Sequence, residues 1–273
     1  MASFHIEIVR FSIWNGGVIK HNRNFDGALH KVQPMISVQL KKLRKRTEIS
    51  AEEERAIRNA VAETRRIPAD EVVIRAGEEL NTSLILLDGW MARSKDLQSG
   101  ERQVTELHVA GDFADLHAFA LKRLDHDLMT LTECTVAVVP HERLKELTER
   151  YPRLGRIYWF STNVDAAIHR ELALSLGQRS AISRMAHLFC ELHIRLDSVG
   201  RTKGESYELP LTQRELSECL GLTVVHANRT LQELRRRGLV ELENRQLAIR
   251  DRRGLEGVAE FDPSYLYLEK RAF

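Results

Sequence analysis

The densest grouping of side chains suited to recognition chemistry lies between Leu211 and Val240, in LTQRELSECLGLTVVHANRTLQELRRRGLV. Asn228 and Arg229 stand side by side there, and these two types carry the paired donors and acceptors that match adenine and guanine edges in a DNA major groove. Leu216 and Leu220, four residues apart, define one buried helical face; Ala227, Leu231 and Leu234, four and three apart, define another. That rotation leaves Val224, Val225, His226, Asn228, Arg229 and Gln232 outside. Thr212 with Glu215 makes a capping box for the first helix, Gly221 supplies a tight turn and Thr223 caps the second helix, which together spell a helix-turn-helix. From Val224 to Arg253, Arg229, Arg235, Arg236, Arg237, Arg245, Arg250, Arg252 and Arg253 face only Glu233, Glu241, Glu243 and Asp251. The module carries an excess of four positive charges, although the whole chain balances 41 Lys+Arg against 39 Asp+Glu. Such an excess suits phosphate contacts. After Gly238, LVELENRQLAI alternates around Asn244-Arg245 as a hairpin does, giving a wing. A solvated, Arg-rich helix pair is the plainer alternative.

Elsewhere the chemistry-bearing residues are scattered. His108, His117 and His126 fall in one segment, and imidazoles ligate haem iron or, in a cupin-like roll, zinc or iron. The close H-x-H pair of a cupin is missing, so hydrogen-bonded histidines are the simpler reading. Cys134, Cys190 and Cys219 are far apart and form no C-x-x-C pair, which points to free buried thiols and away from disulfides, a zinc knuckle or a four-cysteine iron–sulfur site. Nothing basic adjoins Cys134 or Cys190 to favour a reactive thiolate. No Ser-His-Asp order, P-loop or Gly-rich dinucleotide turn occurs, so no enzyme, metal site or cofactor is expected.

At 273 residues and 43% hydrophobic, the chain is long enough for one large or two ordinary domains. No stretch approaches the roughly 18 uncharged apolar residues of a membrane helix and no secretory leader is present, so a cytoplasmic protein without a membrane partner is expected. Residues 1–34 show no sustained period and are given no fold; Met35 opens better organised sequence and is a candidate start of the native product. Between Ile36 and Arg66 a helix is expected through AEEERAIRNAVAETRR, capped by Thr47 or Ser50, with Ser50 and Glu53 as a capping box. After Pro68 come short β-like runs, EVVIRAG, SLILLDGWMARS, RQVTELHVAGDF and DLMTLTECTVAVVP, without intervening helices, as in an antiparallel roll or barrel. HERLKELTERYP is a short amphipathic helix. A long helix follows from about Arg153 to Leu176, ended by Gly177, with Ile157, Val164, Ile168, Leu172 and Leu176 spaced by seven, four, four and four. That seam suits a partner helix or the chain's own roll. A further helix from about Ser180 to Leu196 shows Ile182, Met185, Phe189 and Leu192 on one face.

This order of roll, long helix, second helix and winged helix-turn-helix resembles the Crp/Fnr family of bacterial transcription regulators over about Ile67 to Ile249. The T-x-x-E-L, L-G-L-T and N-R-T-L-x-x-L elements stand at the family's spacing. The resemblance implies an α+β fold: an N-terminal antiparallel β-roll of the cyclic-nucleotide-binding-like jelly-roll kind, a long dimerisation helix and a C-terminal winged helix-turn-helix. The implied divisions are an N-terminal extension over 1–34, the sensor roll with flanking helices over 35–150, the dimerisation helix over 151–177, the DNA-binding domain over 178–254 and a C-terminal tail over 255–273. It further implies a homodimer joined through Ile157, Val164, Ile168 and Leu172, gripping a palindromic double-stranded DNA site and working with RNA polymerase. By position, Thr212, Gln213 and Thr223 would touch phosphates, and Val225, Asn228 and Arg229 would meet bases, with His226 beside them. Many members present a Glu and an Arg where Val225 and Val224 stand here. A valine makes only apolar contact, for instance with a thymine methyl, so the target differs from the family's best-known site.

Cyclic-nucleotide-binding members use, after G-D-F, a Glu for the ribose and an Arg-Ser pair for the phosphate. In GDFADLHAFALKRLDHDLMTLTE, Asp115 can replace the Glu, but His126 and Asp127 fall where Arg and Ser belong, and a carboxylate opposes a phosphate. Lys122 and Arg123 upstream are possible substitutes. Cyclic AMP is therefore not expected, while Asp115, His126 and Asp127 remain the candidate contacts for an unidentified small-molecule effector. The family's iron–sulfur sensors need clustered cysteines, and none precedes Cys134. The alternative is a metal- or ligand-binding, cupin-like roll whose C-terminal helices mediate protein contacts.

Overall fold

The computed structural model describes residues 36–270, together with an antiparallel pairing of Ile13–Trp14 with Gly17–Val18. The absence of an assigned fold over 1–34 and the start at Met35 concern residues otherwise outside those described. Two helices open the described chain, α1 (Ser37–Arg46) and α2 (Ala51–Ala60). Ser50 caps α2 as expected: its hydroxyl accepts from the Glu53 backbone N–H at 3.1 Å, and the Glu53 carboxylate accepts from the Ser50 N–H at 2.9 Å. The helix stops at Ala60 rather than running to Arg66. Beyond Val61 a continued helix has no apolar face to bury, and Glu63–Ile67 instead becomes strand β1. Helix α1 was not expected, although Ile36, Leu40 and Leu43 recur at helical spacing and are buried.

The roll consists of two antiparallel sheets. One orders β1, β7 (Cys134–Pro140) and β3 (Thr82–Asp88); the other orders β2 (Val72–Ile74), β6 (Asp127–Thr130), β4 (Met91–Asp96) and β5 (Arg102–His108). Period-two alternation explains the first sheet. Leu84, Leu86, Val136 and Val138 point into the roll, while Ile85, Leu87, Ala137 and Val139 pack against α1, α2 and α4 (His141–Arg150). Covering both faces turns these strands into continuous apolar runs. Gly89, between β3 and β4, adopts φ +92°, and a Cβ there would sit 2.4 Å from the Glu133 carbonyl oxygen. A short helix, α3 (Ala118–Leu121), lies in the segment after Gly111-Asp112-Phe113.

The long helix α5 spans Pro152–Gln178, with proline in its first turn, where a missing N–H costs nothing. It passes through Gly177, which does not end it; Arg179 turns extended and Ser180 caps α6 (Ala181–Val199) by accepting from the Ser183 N–H. The expected dimer seam needs correction. Ile157 packs with α1, α2 and α4, while Val164 and Ile168 pack with Leu266 near the C-terminus, and the three are only 2%, 3% and 7% exposed. Leu172 is half-buried toward α6 and Leu220. The seven-four-four spacing therefore records packing within this chain.

The C-terminal part comprises α6, β8 (Thr202–Lys203), β9 (Ser206–Glu208), α7 (Gln213–Leu220), α8 (Val224–Arg236), β10 (Val240–Glu243), β11 (Gln246–Ile249) and α9 (Arg252–Ala259). Its strands form one sheet in the order β8-β9-β11-β10. The segment expected as a tail is folded: Leu255 and Ala259 are buried against α6, and a 3-10 turn at Pro263–Leu266 lies on α5. One apolar core joins this part to the roll, since Trp90, Val104 and Leu107 cluster with Phe189, Leu216 and Leu231.

Candidate nucleic-acid interface

The two helices α7 and α8 are fixed by their own first turns. The Thr212 hydroxyl accepts from the Glu215 N–H at 3.2 Å, and the Glu215 carboxylate accepts from the Thr212 N–H at 2.6 Å. Gly221 then takes φ +60°, and Thr223 caps α8 by accepting from the His226 N–H at 3.3 Å. Ala227, Thr230, Leu231 and Leu234 are buried beneath α8, while Leu216 and Leu220 are buried on α7. Val224, Val225, His226, Asn228, Arg229 and Gln232 consequently share the exposed side of α8. At the wing, Asn244 and Arg245 adopt φ of 48° and 61°, the paired positive values of a two-residue hairpin turn, and Glu243 pairs with Gln246 across it.

The arginines divide into two sets. Arg236 and Arg237 both donate to Glu233, Arg250 donates to Glu241, and Arg252 pairs with Glu205 and Glu256. Arg229, Arg235, Arg245 and Arg253 make no ion pair among the described residues. These four exposed guanidinium groups embody the module's excess charge.

A second polar region lies within the roll. A cavity of about 350 Å³ between β4, β5 and α5 is lined by Arg93, His117, His126, Asp165 and His169, among others. The His117 and His126 rings lie 5.3 Å apart; His126 Nδ1 is 3.0 Å from Asp125, and its buried Nε2 has no partner. Burial, with the nearby Arg93 charge, depresses His117 to about 3, and burial likewise lowers His126. Arg93 is fully engaged, donating to the Ala114 carbonyl at 2.7 and 2.9 Å and to Glu106 at 2.5 Å. Burial raises Glu106 to about 8 despite that guanidinium. A phosphate finds no unpaired arginine here.

A family model for the "Crp-like helix-turn-helix domain" matches residues 183–258, and one for the "Cyclic nucleotide-binding domain" matches residues 64–151. The chain belongs to the Crp/Fnr family. The "Anaerobic regulatory protein" of Haemophilus influenzae is 24% identical over 72% of this chain and 76% of its own length. "Transcriptional activator protein FnrA" of Stutzerimonas stutzeri is 24% identical over 75% and 83%. Among solved structures, FixK2 of Bradyrhizobium japonicum superposes with a TM-score of 0.67 at 23% identity, covering 72% of this chain and 97% of that one. The fold is the expected α+β arrangement, and this Crp/Fnr chain is a transcription regulator of a DNA-binding family, not an enzyme.

Within this Crp/Fnr protein the anticipated site residues fall into distinct places. Thr212, Thr223, Val225, His226, Asn228 and Arg229 are exposed together, whereas Gln213 is half-buried with its side-chain oxygen enclosed. Of the three effector candidates, only His126 lines the cavity. Asp115 is fully buried, accepts from the Leu84 N–H at 2.6 Å and is raised to about 7 by that burial; Asp127 accepts from the Ala76 N–H at 2.7 Å. Asp115 thus ties its loop to β3, with its second carboxylate oxygen buried and without a partner, and Asp127 braces the turn at Ala76; neither lines the cavity. His108 lies apart, beside Asp112, and no three His, Cys, Asp or Glu side chains among the described residues converge to hold a metal. The three cysteines are free and buried, and burial pushes Cys134 up to about 11 and Cys190 to about 12. Sequence reasoning missed Arg93, Asp165 and His169 as cavity residues. The last two lie on α5, distant in sequence from the loop after Gly111. Among the described residues no helix is long and apolar enough to cross a membrane.

Proposed function

We propose that this protein regulates transcription as a cytoplasmic homodimer that holds both halves of a palindromic DNA site and acts with RNA polymerase. The observation that carries this reading is the outer side of α8, where Asn228 and Arg229 are exposed and no carboxylate among the described residues pairs with Arg229. Exposed Thr212 and Thr223 hydroxyls and the unpaired Arg235, Arg245 and Arg253 supply phosphate contacts around it. The helix α5 supplies the two-fold. Its exposed positions Trp159, Asn163, Ala166, Arg170, Ala173 and Gly177 recur at alternating spacings of four and three, the pattern of a coiled-coil seam, and Trp159 is 71% exposed. A parallel pairing there brings two α8 helices to successive major grooves, roughly 34 Å apart.

The cavity against α5 is the effector site in this reading, since an occupant touching Asp165 or His169 would bias how α5 packs on the roll. Cyclic nucleotides do not suit it. Arg93 is already satisfied by Glu106 and Ala114, and His126 and Asp127 replace the phosphate-binding pair. Arg229→Ala tests the DNA reading. It should cost about 1 to 3 kcal/mol of binding to a specific duplex and leave affinity for random duplex nearly unchanged, measured by fluorescence anisotropy. Equal loss on both duplexes would reduce Arg229 to a phosphate contact and remove the carrying observation.

A further inference from the structure

Seven large apolar side chains are exposed among the described residues, and only two are consecutive: Val224 and Val225, 44% and 70% exposed in the first turn of α8. They contribute little to the helix itself. Thr223 already caps it, and valine is a modest helix former. Branching at Cβ gives valine one dominant rotamer in a helix, so their methyl groups are held in fixed positions beside Asn228 and Arg229. Valine has no donor or acceptor. Against a base edge presenting a ring nitrogen, a carbonyl or an amino group, it removes water without replacing its hydrogen bonds. The major groove offers one apolar group, the methyl on C5 of thymine.

We propose that Val224 and Val225 read the 5-methyl groups of pyrimidines next to the bases met by Asn228 and Arg229, so that cytosine methylation also changes which sites the protein occupies. The inference rests on the DNA-binding role proposed above. It follows from geometry already described: among the described residues the two valines and the two polar readers share one exposed helix side.

The test uses a duplex recovered by selection from a random pool, with each thymine replaced singly by deoxyuridine, which removes only the methyl group. Affinity should fall about three- to fivefold at one or two positions per half-site, the worth of one buried methyl, and hold elsewhere. A C·G pair placed at a sensitive position should bind more tightly, by a similar factor, when its cytosine carries a 5-methyl group. Val225→Ala or Val224→Ala should lower affinity for the parent duplex by the same three- to fivefold, about one buried methyl, and leave the parent and the deoxyuridine duplex bound equally at the sensitive position. If every deoxyuridine duplex binds like the parent, and the parent still outcompetes random DNA, the methyl-reading proposal is overturned and the DNA-binding role stands. If the parent shows no advantage over random DNA, the role itself fails and takes the proposal with it.

Discussion

Glu233 decides which arginines of α8 remain to meet a phosphate. By accepting from Arg236 and Arg237 it is held at about 2 and neutralises that end of the helix, leaving Arg229 and Arg235 unpaired. The count of positive residues was legible in the sequence, but its division was not, because helical i, i+3 and i, i+4 pairs compete with pairs across the wing. A different residue makes a pH prediction. His187 is buried against the rings of Phe261 and Tyr265, and burial, with Arg179 nearby, depresses it to about 3 from an ordinary 6.5. The unfolded chain therefore takes up a proton that the folded chain refuses. His187 costs nothing above pH 6.5, and stability falls as the pH drops from there toward 3. His187→Gln should recover roughly 1 to 2 kcal/mol of the stability lost between pH 7 and pH 5, read by urea unfolding at each pH. An identical pH slope in the variant would show that His187 titrates normally.

At the scale of elements, α5 carries an apolar stripe that faces inward and a mixed stripe that faces outward. The sequence shows the stronger stripe, Ile157, Val164 and Ile168, but not what covers it; the C-terminal turn bearing Leu266 lies about a hundred residues away. Contacts of that range leave no local periodicity to read. The outward stripe is weak in apolar residues, holding Asn163 and Arg170, and so escaped notice. Two substitutions separate the faces. Ala166→Glu, on the exposed stripe, should lower the mass measured by light scattering from two chains to one while the unfolding midpoint barely moves. Ile168→Glu should instead destabilise the fold by several kcal/mol, because it buries an unpaired charge beside Val164 and Leu266. A dimer that survives Ala166→Glu would place the two-fold elsewhere. The helix-turn-helix was the most legible element, since its caps, glycine turn and core positions are all local. The strands β8 and β9 were missed because each is only two or three residues long and gains its place from pairing, β8 with β9 and β9 with β11.

Across the whole molecule, roll and DNA-binding unit meet at a buried charge. Asp112 accepts from Lys42 of α1 at 2.5 Å and from Arg195 of α6 at 2.8 Å. Arg195 also donates to the Leu107 carbonyl and to Glu191, which in turn accepts from the Tyr265 hydroxyl. Two distant helices, α1 and α6, thus converge on one carboxylate of the roll, whose neighbouring cations hold it well below the usual range against its burial. Asp112→Asn leaves the buried Arg195 and the half-buried Lys42 without their shared carboxylate and should cost about 3 kcal/mol in urea unfolding. A loss under about 1 kcal/mol would mean that the apolar core alone fixes the two parts. No sequence pattern announces this joint, because each participant comes from a different element. The central claim remains that two copies of α8 read an inverted repeat. Its most direct test is selection of bound sequences from a random double-stranded DNA pool with the purified protein. An enriched inverted repeat, with half-sites about one helical turn apart, is the expected result. A pool that stays random, with the residual binding abolished by salt, would contradict the account.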